Sequence, residues 1–197
     1  ESPRLDTLLV APGNAGTAGI ATNVSIDADD VDALVAYSVE SGVDFVVVGP
    51  EVPLAAGLVD RLDSAGVLAF GPTAAAARIE SSKRFAKELM QEHGVPTASM
   101  MSFTDFETAS EYVMAQETPI VVKIDGLLAG KGVVVASDHE EAVRALREWL
   151  GQGGSGVLVE EFMAGQEISV FAFVDSERVS SMIPACDYKP VGDGNIG

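Results

Sequence analysis

Residues 118–137 read "TPIVVKIDGLLAGKGVVVAS", and what this stretch becomes decides the fold. Two apolar β-type runs, "PIVVK" and "GVVVA", flank a segment with Gly126, Gly130 and Gly132 and bring Lys123 and Lys131 to its edges. A P-loop needs four residues between its first glycine and the Gly-Lys pair, then Ser or Thr, and it opens into a helix. Here only Leu127, Leu128 and Ala129 separate Gly126 from Gly130, and the chain runs on into Val133-Val134-Val135. The pattern is strand–loop–strand. Its loop, Ile124 to Lys131, is longer than the roughly two to five residues usual for hairpins. Glycines let a backbone approach a ligand and present N–H groups to phosphate oxygens, and the two lysines can neutralise phosphate charge. Glycine spacing alone leaves a surface hairpin with solvated lysines equally open.

Downstream, "GVLVEEFMAGQEIS" (156–169) places Glu160-Glu161-Phe162-Met163 at a strand end and Glu167 four residues on. A purine needs a carbonyl and an N–H from an exposed backbone segment, and a ribose diol needs a carboxylate; this segment can supply both. An edge strand with solvated acids is the plain alternative. Lys83, in "IESSKRFAKEL", reads by itself as a surface lysine on a charged helix. Between these motifs the signals are strand 98–104, helix 106–116, strands 119–124 and 132–137, helix 138–151 capped by Asp138, and strand 156–163. Residues 166–186 read as a hairpin turning at Asp175-Ser176-Glu177. Together these elements make an α+β module over residues 95–197.

The first 72 residues alternate differently. "TLLVAPG" (7–13), "NVSI" (23–26), "VDFVVVGP" (43–50) and "VLAFGP" (67–72) read as strands, with helices over 29–42 and 53–66. This spacing predicts a doubly wound, Rossmann-like parallel-sheet domain, with the run 43–50 covered on both faces. Residues 73–93 read as one connecting helix, from an N-cap at Thr73 to a stop at Gly94. Strand ends in α/β sheets are where ligands bind. There "APGNAGT" (11–17) offers Gly13, Asn14 and Gly16 as a backbone nest or a plain turn. Glu51, in "VGPEVPL", is either a ligand for a ribose hydroxyl or amine or a helix-start acid.

Bulk properties exclude several classes. The 197 residues are 47% hydrophobic with a net charge of −18 and a mean hydropathy of +0.25, enough apolar material for a core. Such an acidic chain does not attract nucleic acid or anionic lipid broadly. No apolar run approaches the roughly 20 residues that span a bilayer. The lone Cys186 excludes an internal disulfide framework and fits a reducing cytoplasm, and with His93 and His139 it does not make a structural zinc site. Residues 1–72 hold eleven acids against Arg4 and Arg61, so an anionic ligand there must rely on backbone N–H groups.

The blocks "APGNAGTA", "VGPEVPL", "FGPTAAAA", "ESSKRFAKELM", "VVKIDGLLAGKGVVVA", "VEEFMAGQEIS" and "DYKPVGDGNIG", taken in order, resemble the ATP-grasp superfamily. Within it they resemble the phosphoribosylamine–glycine ligase (glycinamide ribonucleotide synthetase) family. The resemblance implies ATP-dependent ligation of glycine to 5-phosphoribosylamine through glycyl phosphate, in purine synthesis. It implies ATP phosphate contacts from Lys83 and Lys123, and a lid from Gly126 to Gly132 that includes Gly130 and Lys131, with Lys123 and Lys131 catalytic. Glu160, Glu161, Phe162 and Met163 would form the adenine segment, with backbone groups from Glu161 and Met163, and Glu167 would hold the ribose. Gly13, Asn14, Ala15, Gly16 and Glu51 would bind phosphoribosylamine, with further substrate contact around Asp187 and Lys189. Ile124 and Leu128 stand where smaller alanines are usual, and Pro190 replaces a common arginine. The resemblance also implies a further opening strand and magnesium ligands beyond Gly197, so residues 1–197 by themselves are expected not to catalyse the ligation. Another ATP-grasp carboxylate–amine ligase and a non-catalytic nucleotide-binding module remain the alternatives.

Overall fold

The computed structural model describes residues 2–126, 132–151, 156–175 and 177–186. The chain forms two compact units, Glu1–Glu161 and Phe162–Gly197.

In the first unit β1 (Leu9–Val10) and β2 (Thr22–Asn23) pair in parallel across a single 3-10 turn, Thr17–Gly19. There follow α1 (Val31–Glu40), β3 (Phe45–Val47), α2 (Glu51–Ala55), α3 (Leu58–Ser64) and β4 (Leu68–Phe70), with β3 and β4 again parallel. Parallel strands joined through helices are the α/β arrangement that the alternating signals predict. Asp30 starts α1 by accepting the Ala33 N–H. Val31, Leu34 and Val35 of α1 pack with Leu54, Leu58, Val59 and Leu62 against Val46 and Ala69 of the strands. Side chains alternate along a strand, so Phe45, Val47, Leu68 and Phe70 point the other way and are 55%, 65%, 71% and 48% exposed. This corrects the expectation that the run 43–50 is covered on both faces: all the helices of this cluster lie on the face of Val46 and Ala69.

Two predicted helices are each broken in two. The helix expected over 53–66 is α2 and α3, separated by Gly57 at φ +84°, a left-handed conformation that glycine adopts without steric cost. The helix expected over 73–93 is α4 (Ala74–Ser81) and α5 (Lys83–Glu92). Thr73 does cap α4, through the Ala76 N–H, and Gly94 does follow α5 with φ +65°. Between them Ser82 is extended, and its hydroxyl accepts the Phe85 N–H at 3.2 Å. A serine that caps competes with helix continuation.

Next come β5 (Met100–Phe103), α6 (Phe106–Met114), β6 (Ile120–Ile124), β7 (Val133–Ala136), α7 (His139–Leu150) and β8 (Val157–Glu161). The four strands form one antiparallel sheet in the order β5-β8-β6-β7. Asp105 and Asp138 cap the two helices through the N–H groups of Thr108 and Glu141. The Thr108 N–H also holds the Asp105 carboxyl below the usual carboxylate range. One sheet face carries Ile120, Val122, Val157 and Val159 into a core with Ala109, Val113, Ala142 and Leu146. The helix residues recur at i, i+4, so each helix turns one apolar stripe to the sheet. Full burial of a side chain such as Leu146 contributes about 1.5–3 kcal/mol. On the opposite sheet face Val121, Leu158 and Glu160 are buried as well.

The second unit holds β9 (Ile168–Ser169), β10 (Ala172–Asp175), β11 (Arg178–Ser181) and β12 (Ala185–Cys186). β10 and β11 form the expected antiparallel hairpin with Asp175 opposite Arg178, and β9 pairs antiparallel with β12. No helix among the described residues is long and apolar enough to cross a membrane.

Candidate functional site

The second face of the four-stranded sheet is set by register. Val121 lies opposite Glu160, and Lys123 opposite Leu158, in the β6–β8 ladder. Because Val122 and Val159 go to the core, Val121, Lys123, Leu158 and Glu160 share the other face. Lys123 and Glu160 are then diagonal neighbours, a spacing that long side chains bridge. The Lys123 Nζ donates to Glu160 Oε2 at 2.9 Å.

Helix α5 supplies a second ammonium group. Lys87 Nζ lies 3.2 Å from the same Glu160 Oε2, and it also donates to Thr97 Oγ1 at 2.8 Å and the Ala98 carbonyl at 3.0 Å. Glu160 is only 4% exposed, Lys87 12% and Lys123 27%. A carboxylate this deep is costly unless paired, and two lysines hold it. Its other oxygen, Oε1, is buried without a hydrogen-bond partner.

The start of α5 is tied to the root of the glycine hairpin. Asp125 Oδ1 accepts the Arg84 N–H at 3.3 Å, and Oδ2 lies 3.5 Å from the Ser82 hydroxyl. A carboxylate at a helix N-terminus is favoured by the helix dipole. Lys83 Nζ donates to the Gly126 carbonyl at 2.6 Å, and the hairpin closes through Ile124 N–H to the Gly132 carbonyl at 2.8 Å. An open cleft of about 300 Å³ adjoins this root, lined by Arg84, Ser102, Asp125 and Leu158 among others. Residues 127–131, including Gly130 and Lys131, lie outside the described residues.

Glu161 ends β8. Its N–H donates to the Ser99 carbonyl at 3.1 Å, and its side chain accepts the Ser99 N–H at 3.0 Å. Phe162, Met163 and Glu167 open the second unit and are exposed. Asp187 and Lys189 lie outside the described residues.

The loop after β1 has a definite internal structure. Asn14 Oδ1 accepts the N–H groups of Gly16 and Thr17, at 2.8 and 3.0 Å, and the Asn14 N–H donates to Thr17 Oγ1 at 2.8 Å. Asn23 Nδ2 donates to the Asn14 carbonyl at 2.8 Å. Of the residues expected to form a nest, Asn14 and Gly16 have their N–H groups engaged by side-chain oxygens within the loop, the ordinary chemistry of Asn and Thr turns. Gly13 has φ +75°, and a Cβ there would stand 2.3 Å from Asn23 Cγ. Ala15 is exposed at the turn. Glu51 is the exposed first residue of α2, beyond the carboxyl end of β3.

Sequence reasoning brought Lys83, Lys123, Gly126, Gly132, Glu160 and Glu161 to this region and missed Ser82, Lys87 and Asp125. One signal for Lys87 was available. Lys83 and Lys87 are four apart on a helix, a like-charge pair that is unfavourable unless acids answer it.

In fold the chain is an ATP-grasp protein. It belongs to the phosphoribosylglycinamide synthetase family: the ATP-grasp (A) domain of that family matches residues 81–197, and its N domain matches residues 1–80. The chain is 47% identical over 204 aligned residues to a phosphoribosylamine–glycine ligase of Vibrio vulnificus, covering all of this chain and 48% of that protein. It is also 47% identical to the ligase of the same name from Halalkalibacterium halodurans, covering all of this chain and 47% of that one. The chain thus spans about half the length of the curated relatives it matches. The crystal structure of the Thermotoga maritima phosphoribosylamine–glycine ligase superposes with a TM-score of 0.80 at 28% identity, over 97% of this chain and 46% of that one. An N5-carboxyaminoimidazole ribonucleotide synthetase, solved as its ADP complex, shares the fold at a TM-score of 0.73 and 18% identity, over 96% of this chain and 48% of that one.

Proposed function

We propose that this chain carries the nucleotide site and part of the amine-substrate site of an ATP-dependent C–N ligase. The enzyme joins glycine to 5-phosphoribosylamine through glycyl phosphate, giving glycinamide ribonucleotide, ADP and phosphate in de novo purine biosynthesis. Family membership supports the reaction. The observation that carries the site is Lys123, partly exposed at the root of the glycine hairpin and held by a buried carboxylate. Glycine's carboxylate attacks the γ-phosphorus, ADP leaves, and the amine of phosphoribosylamine then displaces phosphate from the acyl carbon. Such chemistry rests on positioning and charge neutralisation, for which fixed lysines and a glycine hairpin are suited.

The residues present fit ATP. Lys123 and Lys83 offer ammonium groups beside the hairpin, with Gly126, Gly130, Lys131 and Gly132 as its lid. The buried Oε1 of Glu160 can accept a donor such as the exocyclic amine of adenine. Glu161, Phe162 and Met163 would flank the base, and Glu167 would hold the ribose. Since the Glu161 N–H is engaged by Ser99, a base would meet Glu161 through its carbonyl and Met163 through its N–H. In such reactions magnesium bridges and neutralises phosphates. Among the described residues no three acids, histidines or cysteines cluster to hold it.

Phosphoribosylamine is assigned to the carboxyl ends of β1 and β3, at Gly13, Asn14, Ala15, Gly16 and Glu51, with Asp187 and Lys189 further along the chain. We assign residues 1–72 to this substrate domain, 73–94 to a connector and 95–197 to the ATP-grasp domain. A cytoplasmic location fits the single cysteine. The experiment is a substrate panel on the protein that carries this chain, reading ADP formation. ADP formation only with glycine and phosphoribosylamine together supports the reading. Equal turnover with a different carboxylate–amine pair rejects it.

A further inference from the structure

Glu160 creates an electrostatic problem for the lysine beside it. A carboxylate 2.9 Å from Lys123 Nζ cancels, as seen from a distance, the positive charge that a phosphate would use. At 4% exposure it is screened little by solvent. Lys87 changes the balance. Its ammonium group touches the same Oε2 and is otherwise occupied by Thr97 and Ala98, so it serves the carboxylate and is not aimed outward. The trio Lys87–Glu160–Lys123 carries a net charge of +1, and Lys123 is its most exposed member.

We propose that Lys87 is a positioning residue that offsets Glu160, leaving Lys123 anchored by the carboxylate yet still positive toward a polyphosphate. This rests on the assignment of Lys123 to the nucleotide. Without Lys87 the remaining Glu160–Lys123 pair is neutral, and Glu160 is bound by Lys123 alone. Removing one unit charge from this partly buried trio weakens polyphosphate binding by about tenfold or more. The loss falls on nucleotide affinity, not on glycine affinity.

The test uses the protein that carries this chain, with ATP and inorganic tripolyphosphate as probes in calorimetric titrations at several salt concentrations. Tripolyphosphate reads the charge alone, without the base. Lys87→Met is expected to weaken both probes about tenfold and to flatten the salt dependence, while Lys87→Arg keeps affinity within about threefold of the parent. Replacing both buried partners with apolar side chains, as Lys87→Met with Glu160→Met, returns Lys123 to a net charge of +1. Such replacement is often neutral for stability, so this variant carries the test if Lys87→Met alone does not fold. It should bind tripolyphosphate within about threefold of the parent. Tenfold weaker tripolyphosphate binding by the folded double variant overturns the proposal, as does unchanged binding by folded Lys87→Met. Lys123→Met separates the two levels. If it leaves both probes unaffected, the nucleotide assignment itself falls; if it weakens them while Lys87→Met does not, only the role of Lys87 falls.

Discussion

Lys123 on β6 and Glu160 on β8 meet at 2.9 Å across the face of the sheet opposite the α6 and α7 core. The contact follows from register: Glu160 faces Val121, two residues before Lys123, so a one-residue slip would send one partner into the core. Antiparallel pairing thus fixes the ammonium group at the root of the hairpin before any ligand arrives.

The junction of α4 and α5 offers a test of how the site is held. Ser82 caps α5 through the Phe85 N–H and lies beside Asp125 at the hairpin root. Ser82→Ala should cost about 1 kcal/mol of stability, the usual loss for such a cap. Urea unfolding measures it, and an unchanged midpoint and slope would mean that the cap contributes nothing.

The loop after β1 gives a second. Gly13 has φ +75°, and a Cβ there would collide with Asn23, whose amide supports Asn14. Gly13→Ala should destabilise by more than about 1 kcal/mol, because alanine is strained at positive φ. It should also raise KM for phosphoribosylamine and leave KM for ATP unchanged. Initial-rate kinetics with each substrate varied would separate these; a change confined to ATP would move the loop to the other substrate.

The hairpin gives a third. If it closes on the nucleotide, the amides of Gly126 and Gly132 should exchange more slowly with an ATP analogue bound. Hydrogen exchange with and without the analogue reads this directly. Equal protection in both states would restore the reading of an ordinary surface hairpin.

The other face of β3 and β4 gives a fourth. Phe45, Val47, Leu68 and Phe70 make an exposed apolar row, and exposed patches of this kind associate. Residues 1–197 by themselves should therefore bind a hydrophobic dye and sediment as more than a monomer at high concentration. Val47→Lys with Leu68→Lys should reduce both effects, and no reduction would show that other surfaces are responsible.

Much of this architecture was legible because it rests on local chemistry. β-Branched runs around glycines gave β6 and β7, and Thr73 and Asp138 announced helix starts through side chains that cap N–H groups three residues on. The breaks at Gly57 and Ser82 were not legible. A single glycine or serine is tolerated within many helices, and what breaks these two is Gly57 in a left-handed conformation and Ser82 in an extended one. Lys87 stayed hidden for a longer-range reason. In "KRFAKEL" it is one more charge on a charged helix, and only the docking of α5 on the sheet brings Glu160 to it. Asn14 was read as a donor of nest N–H groups, while its side chain takes those of Gly16 and Thr17.

Lys123 is proposed to face the phosphates of ATP in a glycine-activating ligase. The most direct test is glycine-dependent phosphate release by the protein that carries this chain, compared between the parent and Lys123→Ala. Glu160 keeps Lys87 as a partner in this variant, so the fold is expected to survive, which a thermal melt checks. A fall of at least about tenfold is expected, or roughly 1.4 kcal/mol of barrier. A folded Lys123→Ala protein that releases phosphate at the parental rate would contradict it.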